Sequence, residues 1–133
     1  MRYLLDTDIC IFIARQKPRS VADRFERHRT GDLAMSVINY GELRIGAEKS
    51  DQSSIALAKL ELFIQAVPVL AMEPEVAHYY SQVRLDLQRR GQIIGANDLW
   101  IASHCLQLGL TLVTNNEREF SRIPNLAIEN WTH

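Results

Sequence analysis

Cysteine is scarce in this chain. Cys10 and Cys105 stand far apart in apolar surroundings, and no Cys-x-x-Cys occurs. A disulfide framework is therefore not expected, and the two read as free buried thiols of a cytoplasmic protein. An excess of either charge is also lacking: 15 Lys and Arg face 16 Asp and Glu, for a net charge of −1. Bulk charge does not mark a nucleic-acid binder, although a local patch could still contact phosphates. No apolar run approaches the roughly 18 residues of a membrane span. The apolar start, Met1 to Leu5, is broken at once by Asp6 and Asp8, so no secretion signal is expected. Low-complexity stretches, repeats and dividing linkers are absent as well. So are several familiar catalytic signatures: Gly-x-Ser-x-Gly, the phosphate-binding Gly-x-x-x-x-Gly-Lys, Gly-x-Gly-x-x-Gly and His-Glu-x-x-His. The histidines, His28, His78, His104 and His133, have no ligand spacing, and His104 reads as a packed or surface histidine rather than a ligand.

What remains is an ordinary globular composition, 47% hydrophobic and 23% charged, in 133 residues. That predicts one domain spanning 1–133, able to bury roughly two thirds of its unfolded surface without a disulfide or structural metal. Disorder and collagen-like or coiled-coil architectures do not fit. Apolar strand-like runs alternate with longer helical patterns, which predicts an α/β fold with a parallel sheet. The expected strands are Tyr3–Leu5, Leu33–Ile38, Val67–Leu70, Thr111–Thr114 and Leu126–Ile128, with Pro68 placing the third at an edge. Helices are expected over Ile9–Ala14, from Ser20 to about Arg29, from an Asn39 cap through Ala47, from Ser53 or Ser54, from Pro74 to Gly91 and from Asn97 to Gly109. Right-handed crossovers put helices on both faces of such a sheet. Ligands then bind at the carboxyl ends of the strands, where strand order reverses.

Acidic and amide side chains recur at those strand ends. Asp6 follows the first strand, with Asp8 two residues later, and Glu42 is expected in the first turn of the helix after the second. Asp98 opens the helix leading into the fourth strand, and Asn115, Asn116 and Glu119 follow it. Each has a local explanation. Asn39-x-x-Glu42 and Asn116-x-x-Glu119 fit capping boxes, Asp98 gains from a helix dipole, and Asp6 could close a turn. Together they ask for more. A carboxylate at the end of a buried strand is costly to desolvate. Two carboxylates about 4 Å apart repel by roughly 4 kcal/mol at an effective dielectric of 20. Three or four converging need a cation, and all-oxygen ligands suit Mg2+ or Mn2+. Such an ion keeps waters, one of which can be deprotonated to attack a phosphodiester.

In the segment after Asp6, six basic residues (Arg15, Lys17, Arg19, Arg24, Arg27 and Arg29) outnumber Asp23 and Glu26. This is either a solvated helix face or a patch for RNA phosphates beside the site. Arg84, Arg89 and Arg90 offer a weaker second patch.

Four blocks in order carry a resemblance: Leu4-Leu5-Asp6-Thr7-Asp8-Ile9-Cys10; Tyr40-Gly41-Glu42-Leu43 with Gly46-Ala47; Ile94 to Ala102; and Leu112 to Asn116 with Arg118-Glu119-Phe120. Over essentially the whole chain, including the closing Trp131, the sequence is similar to the PIN-domain ribonucleases and, within them, to the VapC toxins of bacterial toxin–antitoxin systems. The resemblance implies a metal-dependent endoribonuclease on a parallel sheet, cutting structured RNA, with tRNA the favoured class. It implies Asp6, Glu42 and Asp98 as the carboxylates for Mg2+ (or Mn2+), and Asn116 as holding a water or the substrate. Asp8, Thr114 and Glu119 are secondary candidates. It also implies a homodimer and a cognate antitoxin, with larger complexes between them. One departure is Asp8, where family members usually carry Asn.

Two other readings are open at this point. Asp6-Thr7-Asp8-Ile9 satisfies most of the first motif of haloacid-dehalogenase-like phosphatases, but Cys10 stands where Thr or Val is needed and no later acidic pair follows Asp98. A catalytically silent PIN fold serving as an RNA-binding module is the other. Degenerate members would be expected to have lost carboxylates that this chain keeps.

Overall fold

The computed structural model describes residues 1–133, the side chain of Thr30 excepted. Five strands, β1 (Tyr3–Leu5), β2 (Leu33–Ser36), β3 (Val69–Leu70), β4 (Thr111–Val113) and β5 (Ile128–Glu129), form one sheet in the order β3-β2-β1-β4-β5. Every pairing is parallel, with Tyr3 opposite both Leu33 and Thr111, Met35 opposite Val69 and Leu112 opposite Ile128. The helices are α1 (Thr7–Arg15), α2 (Arg19–Glu26), α3 (Val37–Lys49), α4 (Ser53–Ala66), α5 (Val76–Arg89), α6 (Ala96–Leu108) and α7 (Glu117–Phe120). The chain steps outward from β1 through β2 to β3, then crosses back to β4 and β5. Strand order thus reverses between β1 and β4, and the crevice at their carboxyl ends is the natural ligand site.

The strands are apolar throughout because both faces are covered. Leu4, Ala34 and Leu112 point to one side and pack with Leu87, Leu99, Ile101, Cys105 and Phe120 of α5, α6 and α7. Tyr3, Leu5, Leu33, Met35 and Val113 point to the other, against Ile9, Cys10 and Ile13 of α1, Val21 of α2 and the closing Trp131. Helices on both faces of a parallel sheet are as the sequence predicts. Cys10 and Cys105 are buried and free, and burial pushes the Cys105 thiol up to about 12 and the Cys10 thiol higher still, with the Asp6 charge adding to the latter. Among the described residues no helix is long and apolar enough to cross a membrane.

Several boundaries differ from expectation. β2 ends at Ser36, not Ile38, because the Ser36 hydroxyl accepts the Ile38 N–H (3.2 Å) and the Asn39 side chain accepts the Ser36 N–H (3.0 Å). This reciprocal cap starts α3 before Asn39, so the strand preference of Val37-Ile38 loses to the capping box. Glu42 therefore lies in the second turn of α3 and takes no part in capping. α2 begins after Pro18 and stops at Glu26, short of Arg29. Pro74 sits in the turn before α5. α6 ends where Gly109 turns left-handed (φ 68°), a conformation that costs glycine little. The final strand begins two residues later than its apolar run and ends one residue later, and α7 is too short to leave a periodic signal.

Candidate active site

Asp6 stands where the chain leaves β1. Its backbone N–H still bonds the Val113 carbonyl (2.9 Å), and its side chain caps α1 by accepting the Thr7 N–H at Oδ1 (2.9 Å). Its Oδ2 accepts the hydroxyl of Thr114, just beyond β4 (2.7 Å). From the first turn of α3 the fully buried Asn39 donates its amide to Oδ1 (3.4 Å). Asp6 is left only 7% exposed. Glu42, further along α3, accepts the Thr7 hydroxyl (2.6 Å) and the Asn97 amide (3.4 Å). Asp98 lies half-buried in the first turn of α6 and stands within hydrogen-bonding reach of Glu119. The Asn116 side chain donates to Glu119 (3.0 Å) instead of forming the expected capping box, and its N–H donates to the Thr114 hydroxyl (2.9 Å).

Among the described residues no Lys or Arg forms an ion pair with Asp6, Glu42, Asp98 or Glu119. The carboxylates therefore feel one another. Burial raises the Asp6 pKa, against the pull of its Thr114 and Thr7 hydrogen bonds and with the charges of Asp8 and Glu42 adding. Burial also pushes Asp98 up to about 7, helped by a hydrogen bond with Glu119 and by the charges of Asp6, Glu119 and Glu42. No three of these groups, among the described residues, close into a preformed ligand cage. Mg2+ takes one or two carboxylates and keeps several waters, so an open, uncompensated oxygen set of this kind fits it.

A pH dependence follows. Without metal, the folded chain holds a proton on Asp98 that the unfolded chain, with an Asp pKa near 3.8, releases. Stability is therefore expected to fall as pH rises from about 4 through about 7 and to level off above. Bound Mg2+ favours the deprotonated form and should flatten the trend. Melting temperatures at pH 5 and 8, with and without Mg2+, check this; a metal-free chain that grows more stable over that range contradicts it.

The structure brings together Asp6, Glu42, Asp98, Thr114, Asn116 and Glu119. Asp8 is exposed on the first turn of α1. Asn115 turns away, accepting from Asn130 (3.4 Å) and Thr132 (3.3 Å) near the chain end. Arg15, Lys17 and Arg19 do not flank the carboxylates. The nine residues of α1 carry the chain about 13 Å from Asp6, toward the amino end of β2. Arg90 is committed to Asp86 (2.6 Å), and Arg84 to the Tyr80 hydroxyl (2.6 Å). Thr7, Asn39 and Asn97 contact the carboxylates, although the sequence offered Asn39 and Asn97 only as helix starts and Thr7 only as part of a motif; for Asn39 the signal is Ser36-x-x-Asn39. His104 is fully buried on α6, with Nδ1 2.9 Å from the Ser36 hydroxyl, and burial lowers its pKa.

The family model for the PIN domain matches residues 3–126. A ribonuclease VapC2 of Rickettsia felis is 39% identical over 132 residues, covering 98% of each chain. A tRNA(fMet)-specific endonuclease VapC of Shigella flexneri is 39% identical over 132 residues, covering 99% of each. Among solved structures, DNA-bound VapBC from Salmonella typhimurium matches with a TM-score of 0.92 at 40% identity over 98% of each chain.

Proposed function

The chain belongs to the PIN-domain family, among the VapC ribonucleases, and on that premise we propose that it is a divalent-cation-dependent endoribonuclease that cuts tRNA and is restrained by an antitoxin. The observation that carries this reading is the meeting of Asp6, Glu42 and Asp98 at the carboxyl ends of the strands with no basic partner among the described residues. Those three would hold the cation, Mg2+ with Mn2+ as substitute, which when bound supplies Lewis-acid activation of water for attack on a phosphodiester. Thr114 and Asn39 orient Asp6, and Thr7 orients Glu42. Asn116, linked to both Thr114 and Glu119, is placed to present its amide to water or to the scissile phosphate. Membership of the family sets the phosphatase reading aside, and retention of all three carboxylates argues against a silent RNA-binding module.

The tRNA substrate is supported by the relative named for tRNA(fMet), and the antitoxin by the VapBC likeness. An antitoxin arginine set among Asp6, Glu42 and Asp98 would compete with the cation for the same charge. An apolar groove of about 220 Å³ between α1, α3 and α4, lined by Ile11, Ala14, Leu43, Ala47 and Phe63, offers a seat for the rest of the partner. Exposed Val37 and Ile45 on α3 support pairing of two copies.

Incubating the purified chain with tRNA in Mg2+, in Mn2+ and in excess chelator tests the reaction. Cleavage is expected with either ion and none in chelator; undiminished cutting in chelator refutes the cation reading. Expression of the chain alone is expected to arrest growth, and co-expression with the antitoxin to restore it. Unaffected growth at high expression argues against the toxin role.

A further inference from the structure

Behind the carboxylates runs a chain of hydrogen bonds whose direction is forced from Ser36 to Glu42. The Ser36 N–H can only donate, so Asn39 must turn its oxygen to it (3.0 Å). The Asn39 NH2 is thereby committed to the opposite side, toward Asp6 Oδ1 (3.4 Å) and the Thr7 hydroxyl (3.1 Å). Having accepted that bond, Thr7 gives its single hydroxyl hydrogen to Glu42 (2.6 Å). At the other end, the Ser36 hydroxyl accepts the Ile38 N–H as the α3 cap and pairs with His104 Nδ1 (2.9 Å). A hydroxyl holds one hydrogen and two lone pairs, so it can meet Nδ1 in either neutral tautomer of the ring.

We propose that His104 is a positioning residue of the nuclease site: through Ser36 it braces the first turn of α3, from which Asn39 sets Asp6 and, by way of Thr7, Glu42. The inference rests on the reading of the site given above. Its distinguishing observation is on the far side of the ring. Nε2 is buried with no well-formed hydrogen bond among the described residues, although the Ala71 backbone lies close enough to the ring to favour its charged form. The neighbours of His104 on α6 include fully buried Ile101, Ala102 and Cys105. A Phe or Leu would fill this place without burying an unpartnered polar atom. What the imidazole adds over either is Nδ1 on the Ser36 hydroxyl. The bracing also suits its task. Asn39, Thr7 and Thr114 are neutral donors, so they orient the carboxylates without cancelling the charge a cation needs; a Lys or Arg in their place would fill the site.

Two substitutions separate bracing from packing. His104→Phe keeps a ring and removes the partner of the Ser36 hydroxyl. His104→Asn loses the ring but returns an amide, able to donate or accept, near the place of Nδ1. Mn2+ is titrated into each full-length variant and followed by water proton relaxation, alongside kcat on tRNA and the melting temperature. His104→Phe is expected to weaken Mn2+ binding about tenfold or more and to lower kcat, whereas His104→Asn melts lower yet binds Mn2+ within about threefold of wild type. Affinity that follows the Ser36 hydrogen bond and not the melting temperature is the expected signature. A His104→Phe chain that binds within about threefold overturns the proposal, as does equal loss in both variants in step with stability. Should His104→Phe fail to fold, His104→Leu against His104→Asn asks the same question. Loss with Leu and retention with Asn support the bracing, and no difference between them overturns it. A wild-type chain that binds no Mn2+ brings down the cation reading itself, and this inference with it.

Discussion

Asp6→Asn is expected to abolish RNA cleavage and leave the fold intact. The substitution keeps the shape of a side chain that caps α1 and meets Thr114 and Asn39, so circular dichroism should not change. It removes the negative charge nearest the strand ends, and with it the charge that attracts the cation. Ionised Asp6 is disfavoured by burial in the metal-free protein, so the variant should melt no lower than wild type when metal is absent. Asp8→Asn makes the contrast. Asp8 is exposed on the outer side of the first α1 turn and acts on Asp6 through its charge alone. Its loss should leave cleavage within about tenfold of wild type, or roughly 1.4 kcal/mol in the barrier. Cleavage of tRNA by both variants at equal Mg2+ decides the matter. A folded but inactive Asp8→Asn would mean that the second carboxylate has been recruited to the site, and the outer role assigned to it here would be wrong.

Trp131→Ala should produce the largest loss of stability. The indole is fully buried, stacks on His28 (centroids 5.2 Å apart, planes 8° apart) and meets Tyr3 of β1 edge-on (5.8 Å). Its Nε1–H donates to Glu129 (3.1 Å), which also accepts from Arg24 of α2 (2.8 Å). Removing the ring is expected to cost about 3–5 kcal/mol, a large part of the roughly 5–15 kcal/mol that holds a domain folded. For a chain of this size that corresponds to a fall in melting temperature on the order of 10–20 °C. Glu129→Gln, which weakens a half-exposed ion pair, should cost no more than about 1 kcal/mol. Urea unfolding of both variants checks the comparison; equal midpoints would show that the closing segment lies outside the cooperative core.

Much of the architecture was legible in the order of residues. Leu4 and Leu5 before Asp6, and Leu112 and Val113 before Thr114, mark buried strands because both faces of a parallel sheet are covered and no alternation survives. Helix starts were less legible. Val37-Ile38 reads as strand, and only the reciprocal bonds of Ser36 and Asn39 show that α3 has already begun. The same misplacement put Glu42 in a capping box, when it belongs to the carboxylate cluster. The basic segment from Arg15 to Arg29 looks close to Asp6 along the chain. In space α1 carries Arg15, Lys17 and Arg19 away from it, and Arg24 is held by Glu129 of β5.

By itself the sequence determined the fold class, the placing of acidic groups after strands and the chemistry their types allow. These follow from local rules: residue period, desolvation and ligand preference act on neighbours in the chain. Tertiary structure alone decided that Thr114 and Asn39 grip one carboxylate and that Thr7 bridges to Glu42. It also decided that Glu119 raises the proton affinity of Asp98 and that His104 stands behind Ser36. Those contacts join β1, α3, β4, α6 and α7 at one rim. Hydrogen-bond direction and burial depend on which surfaces the sheet order brings face to face, and no spacing along the chain encodes that.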